Sequence, residues 1–188
     1  ATLNDAPATC GLLLVDKPTD WTSHDVVAKI RNHFRLNKVG HGGTLDPMAT
    51  GLLVLLIGKG TKLSNRIMGG DKTYEGSIRL GVETTTQDRE GEVVGSQDAS
   101  RITRGQVEDA VQKFLGDIEQ IPPMVSAIKK NGVPLYKLAR KGKEVEREPR
   151  RIHVYRFDVL GFENPMVHFR LESTKGTYVR TLAHDLGN

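Results

Sequence analysis

Apolar residues recur along this chain in two rhythms, and each predicts an element. Gly11 to Asp16 is a short apolar run suited to a buried strand, and Lys17-Pro18 ends it because proline cannot continue a ladder. Leu52 to Ile57 is uniformly apolar, as a strand covered on both faces would be. Between the two runs Thr22 or Ser23 can cap a helix, with Val26, Val27, Ile30 and Phe34 at helical spacing along its buried side. From Lys72 to Leu80 the period changes to two. Tyr74, Gly76, Ile78 and Leu80 fall on one side and Thr73, Glu75, Ser77 and Arg79 on the other, which predicts a half-buried strand. Thr103 and Gln106 have capping-box spacing, Val107, Val111 and Phe114 follow at helical spacing, and Gly116 is expected to end that helix. Ile152 to Leu160 and Val167 to Ser173 are rich in branched and aromatic residues and predict two strands around a Gly161 to Pro165 turn. A helix entry follows at Thr177, with Val179, Leu182, Ala183 and Leu186 on its apolar side. The fold class expected is α+β, one domain around a mixed sheet.

Composition narrows what such a domain can do. At 188 residues and 37% hydrophobic content the chain can bury a substantial core. No apolar run approaches the roughly 20 residues a membrane helix needs, so no membrane association is expected and the cytosol is the expected compartment. A single cysteine, Cys10, can close neither an internal disulfide nor a zinc cage. The net charge of +4 is unevenly spread. Pro122 to Arg151 carries nine basic residues against three acidic ones, a local net of +6 that leaves the remainder at −2. A basic segment on a slightly acidic body is the footprint of polyanion binding, with a phosphate backbone the obvious polyanion.

The densest chemistry lies in Gly40-His-Gly-Gly-Thr-Leu-Asp-Pro-Met-Ala-Thr-Gly51, which sets one carboxylate, Asp46, among glycines, small residues and a proline. Glycines let backbone approach a ligand closely, and Pro47 fixes the chain direction just after the acid. Such a loop presents a carboxylate rigidly. It is not a nucleotide loop: Gly58-Lys59-Gly60-Thr61 has the wrong residue after the lysine for a phosphate loop, and Asp16-Lys17-Pro18-Thr19 stands where a dinucleotide fold wants its glycines. The six histidines are scattered with no metal-ligand pairing, so neither a metal nor a cofactor is expected.

Four blocks taken together are specific: Gly11-Leu-Leu-Leu-Val-Asp-Lys-Pro18, the Asp46 block, Asp71-Lys-Thr-Tyr74, and Ser173-Thr-Lys-Gly-Thr-Tyr-Val-Arg180. In order and spacing they closely resemble the TruB family of tRNA pseudouridine synthases, over roughly residues 11 to 187. The resemblance implies a catalytic domain at 11–188 with a mixed, mainly antiparallel central sheet, a short tail at 1–10, and a basic thumb-like insertion at 122–151. It implies isomerisation of the uridine at position 55 in the tRNA T loop, with no cofactor, by a monomer that needs no protein partner, in a bacterial cytosol or an organelle matrix. Asp46 then corresponds to the catalytic carboxylate, Arg180 to the arginine that orients it, and Tyr74 to the tyrosine that stacks on the extruded uracil. His41 corresponds to the residue filling the space the flipped base leaves, Tyr178 and Thr44 to substrate-contacting positions, and Lys17 and Pro18 to a brace for the catalytic loop. Lys129, Lys130, Lys137, Arg140 and Lys141 of the thumb would meet tRNA phosphates.

Family members continue past the segment matching Asp185 to Asn188 into a stretch that completes the uracil pocket, often followed by a small RNA-binding domain, so the expectation is of a chain lacking both. Two other readings stay open at this point: the catalytic subunit of a guide-RNA-directed synthase, against which Met48 and Ala49 weigh, and a non-catalytic RNA-binding fragment.

Overall fold

The structure, a computed structural model, describes residues 9–124, 126 and 145–188, together with the backbone of 129, 130, 133 and 134. It divides into two compact units, residues 1–70 and 71–188.

The first unit is a three-stranded antiparallel sheet with one long helix. Strand β1 (Gly11–Lys17) leads into helix α1 (Ser23–His33), then β2 (Val39–His41), β3 (Gly51–Ile57), a 3-10 turn (Gly58–Leu63) and helix α2 (Ser64–Met68). The sheet order is β1-β3-β2, with Leu13 opposite Leu55 and His41 also opposite Leu55 on the other edge. Val26 and Val27 of α1 close over Leu53 and Leu55, with Leu13, Val15, Ile30, Val39 and Leu45 packed around them. At about 1.5–3 kcal/mol for each fully buried side chain, this cluster fixes the floor beneath the Asp46 loop. Thr22 caps α1 through a complete reciprocal box with Asp25. The sequence pattern needs two corrections here. Phe34 falls at the C-cap, one residue past the end of α1, and is exposed, so it does not join the buried face of Val26 and Val27. Leu52 is 65% exposed while Leu56, on the same face, is 1% exposed, so β3 is covered on both faces only toward its end; α1 seals the side carrying Leu53 and Leu55.

The second unit starts with β4 (Lys72–Arg79), then β5 (Val82–Thr84) and β6 (Val93–Ser96) as a hairpin, helix α3 (Arg104–Gln112) and β7 (Gly116–Gln120). Two-residue strands β8 (Lys129–Lys130) and β9 (Val133–Pro134) pair with each other, followed by β10 (Arg150–Glu163), β11 (Met166–Ser173) and helix α4 (Val179–Gly187). Its main sheet is antiparallel throughout, in the order β4-β11-β10-β7. Val107 and Val111 of α3 and Leu182 of α4 bury against Ile78, Val154, Phe157, Val167, Phe169 and Leu171. Gly116 does not terminate the helix as expected. Helix α3 stops at Gln112, and Gly116, at φ 85°, turns the chain into β7. Strand β10 outruns its sequence pattern at both ends, and two register shifts against β11 let its long course stay paired.

Candidate active site

The residues singled out by sequence fall on both units, and each group takes its geometry from its own. In the first unit the chain between β2 and β3 is the Asp46 loop. Gly42 is buried, and a Cβ there would lie 2.4 Å from the Ile67 side chain of α2, so no other residue fits. Gly51, at φ 106°, turns the loop into β3. Asp46 itself is half-buried, and its carbonyl accepts from the amide of Ala49 at 3.0 Å, closing a tight turn with Pro47 in its second position.

Lys17 shows how this turn is held. Its side chain is completely buried at the end of β1, and Nζ donates to the carbonyls of Trp21 at 2.6 Å, Pro18 at 2.9 Å and Pro47 at 3.0 Å. An ammonium has three N–H bonds, and these three carbonyls match them, the condition under which a charge can sit away from water. Pro18 thus both ends the strand and supplies one acceptor. The carbonyl of Pro47 also takes the amide of Asp20 at 2.8 Å, with Asp20 in the left-handed region at φ 66°. Thr19 Oγ1 donates to the carbonyl of Met48 at 3.4 Å. His41 Nδ1 lies 2.5 Å from the carbonyl of Gly43; since a carbonyl only accepts, the proton sits on Nδ1. Thr44 is exposed on the loop.

The second unit carries Tyr74, Tyr178 and Arg180. Tyr74 lies in β4 opposite Leu171 and packs partly buried against the core cluster. Tyr178 is the N-cap of α4, and its backbone is gripped by Gln120, which is 1% exposed: the Tyr178 amide donates to Oε1 at 3.0 Å and Nε2 donates to the Tyr178 carbonyl at 3.1 Å. Arg180 follows in the first turn. Its Nη1 donates to the carbonyl of Thr86 at 3.1 Å and stands 3.6 Å from Asp88 Oδ2, with the two side chains only 9% and 6% exposed. Asp88 is in turn fixed by Thr86 Oγ1 at 2.5 Å and by the amide of Glu90 at 3.0 Å, both on Oδ1. Thr181 Oγ1 donates to Gln87 Oε1 at 2.9 Å, so three consecutive residues of the turn after β5 hold the start of α4.

Sequence reasoning missed Asp88, Gln120 and the loop contact of Ser23. The threonine- and acid-rich stretch Thr84 to Gly91 signals a turn, but nothing in it names an arginine 92 residues further on. Of the thumb lysines, Lys129 and Lys130 lie in β8 with their backbone alone described, and Lys137, Arg140 and Lys141 lie outside the described residues. Among the described residues no three His, Cys, Asp or Glu side chains gather as metal ligands, and no helix is long and apolar enough to cross a membrane.

A glycine-walled carboxylate in one unit and a guanidinium on a helix N-terminus in the other are the parts that the four sequence blocks brought to notice. Residues 31–179 match the family described as TruB family pseudouridylate synthase, N-terminal domain. The chain belongs to the TruB family. It is 56% identical to the tRNA pseudouridine synthase B of Opitutus terrae over 177 residues, 94% of this chain and 73% of that protein. It is 52% identical to the synthase of the same name from Symbiobacterium thermophilum over 94% of this chain and 60% of the other, and 50% identical to that of Syntrophotalea carbinolica over 94% and 58%. It therefore spans between 58% and 73% of the length of these relatives. Among solved structures it is similar to a Cbf5-Nop10-Gar1 complex, with a TM-score of 0.72 and 31% identity over 94% of this chain and 43% of that one. An H/ACA RNP bound to a substrate RNA containing 2'-deoxyuridine matches at 0.67 and 26%, over 94% of this TruB-family chain and 42% of the other. The α+β fold, all its described strand pairs antiparallel, is thus the fold of pseudouridine synthases.

Proposed function

We propose that this protein isomerises uridine to pseudouridine in the T loop of tRNA, with Asp46 as the catalytic carboxylate. The observation that carries the reading is the bracing of Asp46: the residue after it is tied by Lys17 and by the amide of Asp20, in a loop whose glycine tolerates no side chain. A carboxylate held this way is preorganised, and preorganisation is what a reaction with a charged sugar or a departing uracil anion rewards. The N1–C1′ bond breaks, the base turns, a C5–C1′ bond forms, C5 loses its proton to solvent and N1 gains one; no co-reactant is required. Asp46 opens the glycosidic bond by attack on C1′ or by removal of the C2′ proton.

Arg180 orients the carboxylate, and Asp88 with the Thr86 carbonyl holds that guanidinium in one pose. Tyr74 and Tyr178 contact the extruded base, and His41 fills the space it leaves, which offsets part of the few kcal/mol that flipping costs. Thr44 lines the approach. The thumb-like segment at 122–151, with Lys129, Lys130, Lys137, Arg140 and Lys141, grips the stem phosphates within a catalytic domain spanning 11–188. A second basic surface supports the RNA reading. From Val26 to Gly70 the single acid is Asp46, against seven lysines and arginines that are all exposed. The enzyme acts without guide RNA, as a monomer in the bacterial cytosol; its roughly 50% identity to synthases named for tRNA, against 31% for the Cbf5 chain, supports that choice.

The test is an unmodified T-arm stem-loop tritiated at uracil C5, offered without guide RNA. Tritium release by the parent chain and none by Asp46→Asn, with equal RNA retention on a filter, is the expected result. Equal release by both removes Asp46 from the chemistry, and retention without release by either leaves an RNA-binding fragment.

A further inference from the structure

We propose that Ser23 is a positioning residue for Asp46, acting through the backbone of Leu45; the proposal rests on the reading of Asp46 as the catalytic carboxylate. Ser23 is the first residue of α1 and is 3% exposed. Its Oγ accepts from the amide of Leu45 at 3.0 Å and donates to the carbonyl of the same residue at 3.3 Å. One hydroxyl supplies one donor and accepts readily, so both backbone groups of the residue before Asp46 are read by a single side chain 22 positions away.

The helix does not need this hydroxyl. Thr22 is the N-cap: its side chain accepts from the amide of Asp25 at 3.0 Å, and the Asp25 carboxylate accepts from the amide of Thr22 at 2.9 Å. At the position after a completed capping box, alanine serves a helix at least as well as serine. The Ser23 hydroxyl is therefore spent on the loop and not on the element that carries it. Its effect is symmetrical with that of Lys17. Pro47, after Asp46, is held by Lys17 Nζ and the amide of Asp20; Leu45, before it, is held by Ser23 and by the packing of its side chain against the Val26 and Val27 cluster. With both neighbours fixed, the direction of the Cα–Cβ bond of Asp46 is fixed, and the carboxylate is left only its own side-chain torsions. Without the Ser23 anchor the backbone before Asp46 loses both of these hydrogen bonds and keeps only the side-chain packing of Leu45. A displacement of about 1 Å at a reacting group is enough to cost about a hundredfold in rate.

Adjacent substitutions separate positioning from stability. Ser23→Ala and Thr22→Ala are compared with the parent chain by single-turnover tritium release from the C5-labelled stem-loop, filter binding, thermal unfolding, and exchange of the Leu45 amide by NMR. The expected result for Ser23→Ala is a ten- to hundredfold slower single-turnover rate, binding within twofold, and a Leu45 amide that exchanges at least tenfold faster. Thr22→Ala is expected to melt earlier and to keep the parent rate within twofold. A Ser23→Ala chain that reacts at the parent rate overturns the proposal, and so does a Thr22→Ala chain that, with a similar fall in melting temperature, slows as much as Ser23→Ala. The exchange measurement needs no turnover: an unchanged Leu45 amide in Ser23→Ala overturns it whatever the parent chain does with RNA. Absence of tritium release from the parent chain, with Leu45 exchange accelerated, counts against the assigned reaction and not against the anchor.

Discussion

Lys17 is the residue at which stability and chemistry are hardest to separate, because one buried ammonium satisfies three carbonyls, one of them next to Asp46. Methionine fills the space of the aliphatic stem and has no donors, so Lys17→Met would strand the carbonyls of Pro18 and Trp21 and leave that of Pro47 with the Asp20 amide alone. Each of the two carbonyls left without its partner costs about 1 kcal/mol or more, giving a loss of about 2 kcal/mol in unfolding free energy, readable by urea denaturation. Turnover is expected to fall at least as far as in Ser23→Ala, while affinity for the stem-loop is kept. Asp25 gives a pH dependence whose sign can be worked out. Hydrogen bonds from the Thr22 side chain and backbone hold its carboxyl below the ordinary aspartate value. A carboxyl depressed in the folded state contributes stability that is present above its unfolded value and lost as pH falls through the folded one. The melting-temperature gap between the parent chain and Asp25→Ala is therefore expected to be full at neutral pH and to close below the usual carboxylate range. A gap that is flat from pH 7 down to strongly acidic conditions would count against the capping carboxylate.

At the scale of elements, what the sequence makes legible is what local pattern controls. The capping box at Thr103 can be read from three-residue spacing, a cap at Thr22 or Ser23 from residue type, and β4, β10 and β11 from alternation or branched runs, because each signal lies within the element it announces. The hairpin of β5 and β6 escapes that reading. It is short and polar, and it is held to α4 by contacts that run from Thr86 to Arg180 and from Gln87 to Thr181. Asp46 was legible because glycines and a proline announce an unusual backbone; Asp88, Ser23 and Gln120 were not, since each is an ordinary residue until the fold brings its partner within 4 Å. The Asp88 and Arg180 pair makes this testable. Both side chains are under a tenth exposed, so Asp88→Ala takes a carboxylate from beside a buried guanidinium that keeps the Thr86 carbonyl. Asp88→Ala is expected to destabilise by about 1.5–3 kcal/mol, whereas replacing a surface pair such as Arg104 and Glu108 changes stability by less than about 1 kcal/mol. Asp88→Asn keeps the shape and most of the turn hydrogen bonds, and is expected to lose turnover more than stability.

Charge is a property of the whole molecule, and here the structure changes what the sequence total suggested. The thumb-like segment was the obvious basic region, yet outside it the chain is not evenly acidic: Val26 to Gly70 holds seven exposed cations and the single acid Asp46, so the acids lie mainly in the second unit. If both basic regions meet RNA, affinity should depend on salt more steeply than the thumb alone can explain. Each phosphate contact contributes about −0.9 to the slope of log affinity against log salt on a duplex stem. Lys59, Lys62 and Arg66 lie close together along the 3-10 turn and α2. Their joint replacement by glutamine is expected to make that slope shallower by about 2 to 3 and to weaken stem-loop binding most at low salt. At saturating RNA the single-turnover rate should stay within twofold, because none of the three holds Asp46 or Arg180. Filter binding across a salt series decides the matter. An unchanged slope would confine phosphate contact to the thumb and leave the cations of the first unit as a solvated surface, whereas a shallower slope with an unchanged rate would divide the work within that unit, its exposed cations holding the RNA and its glycine-walled loop holding the carboxylate.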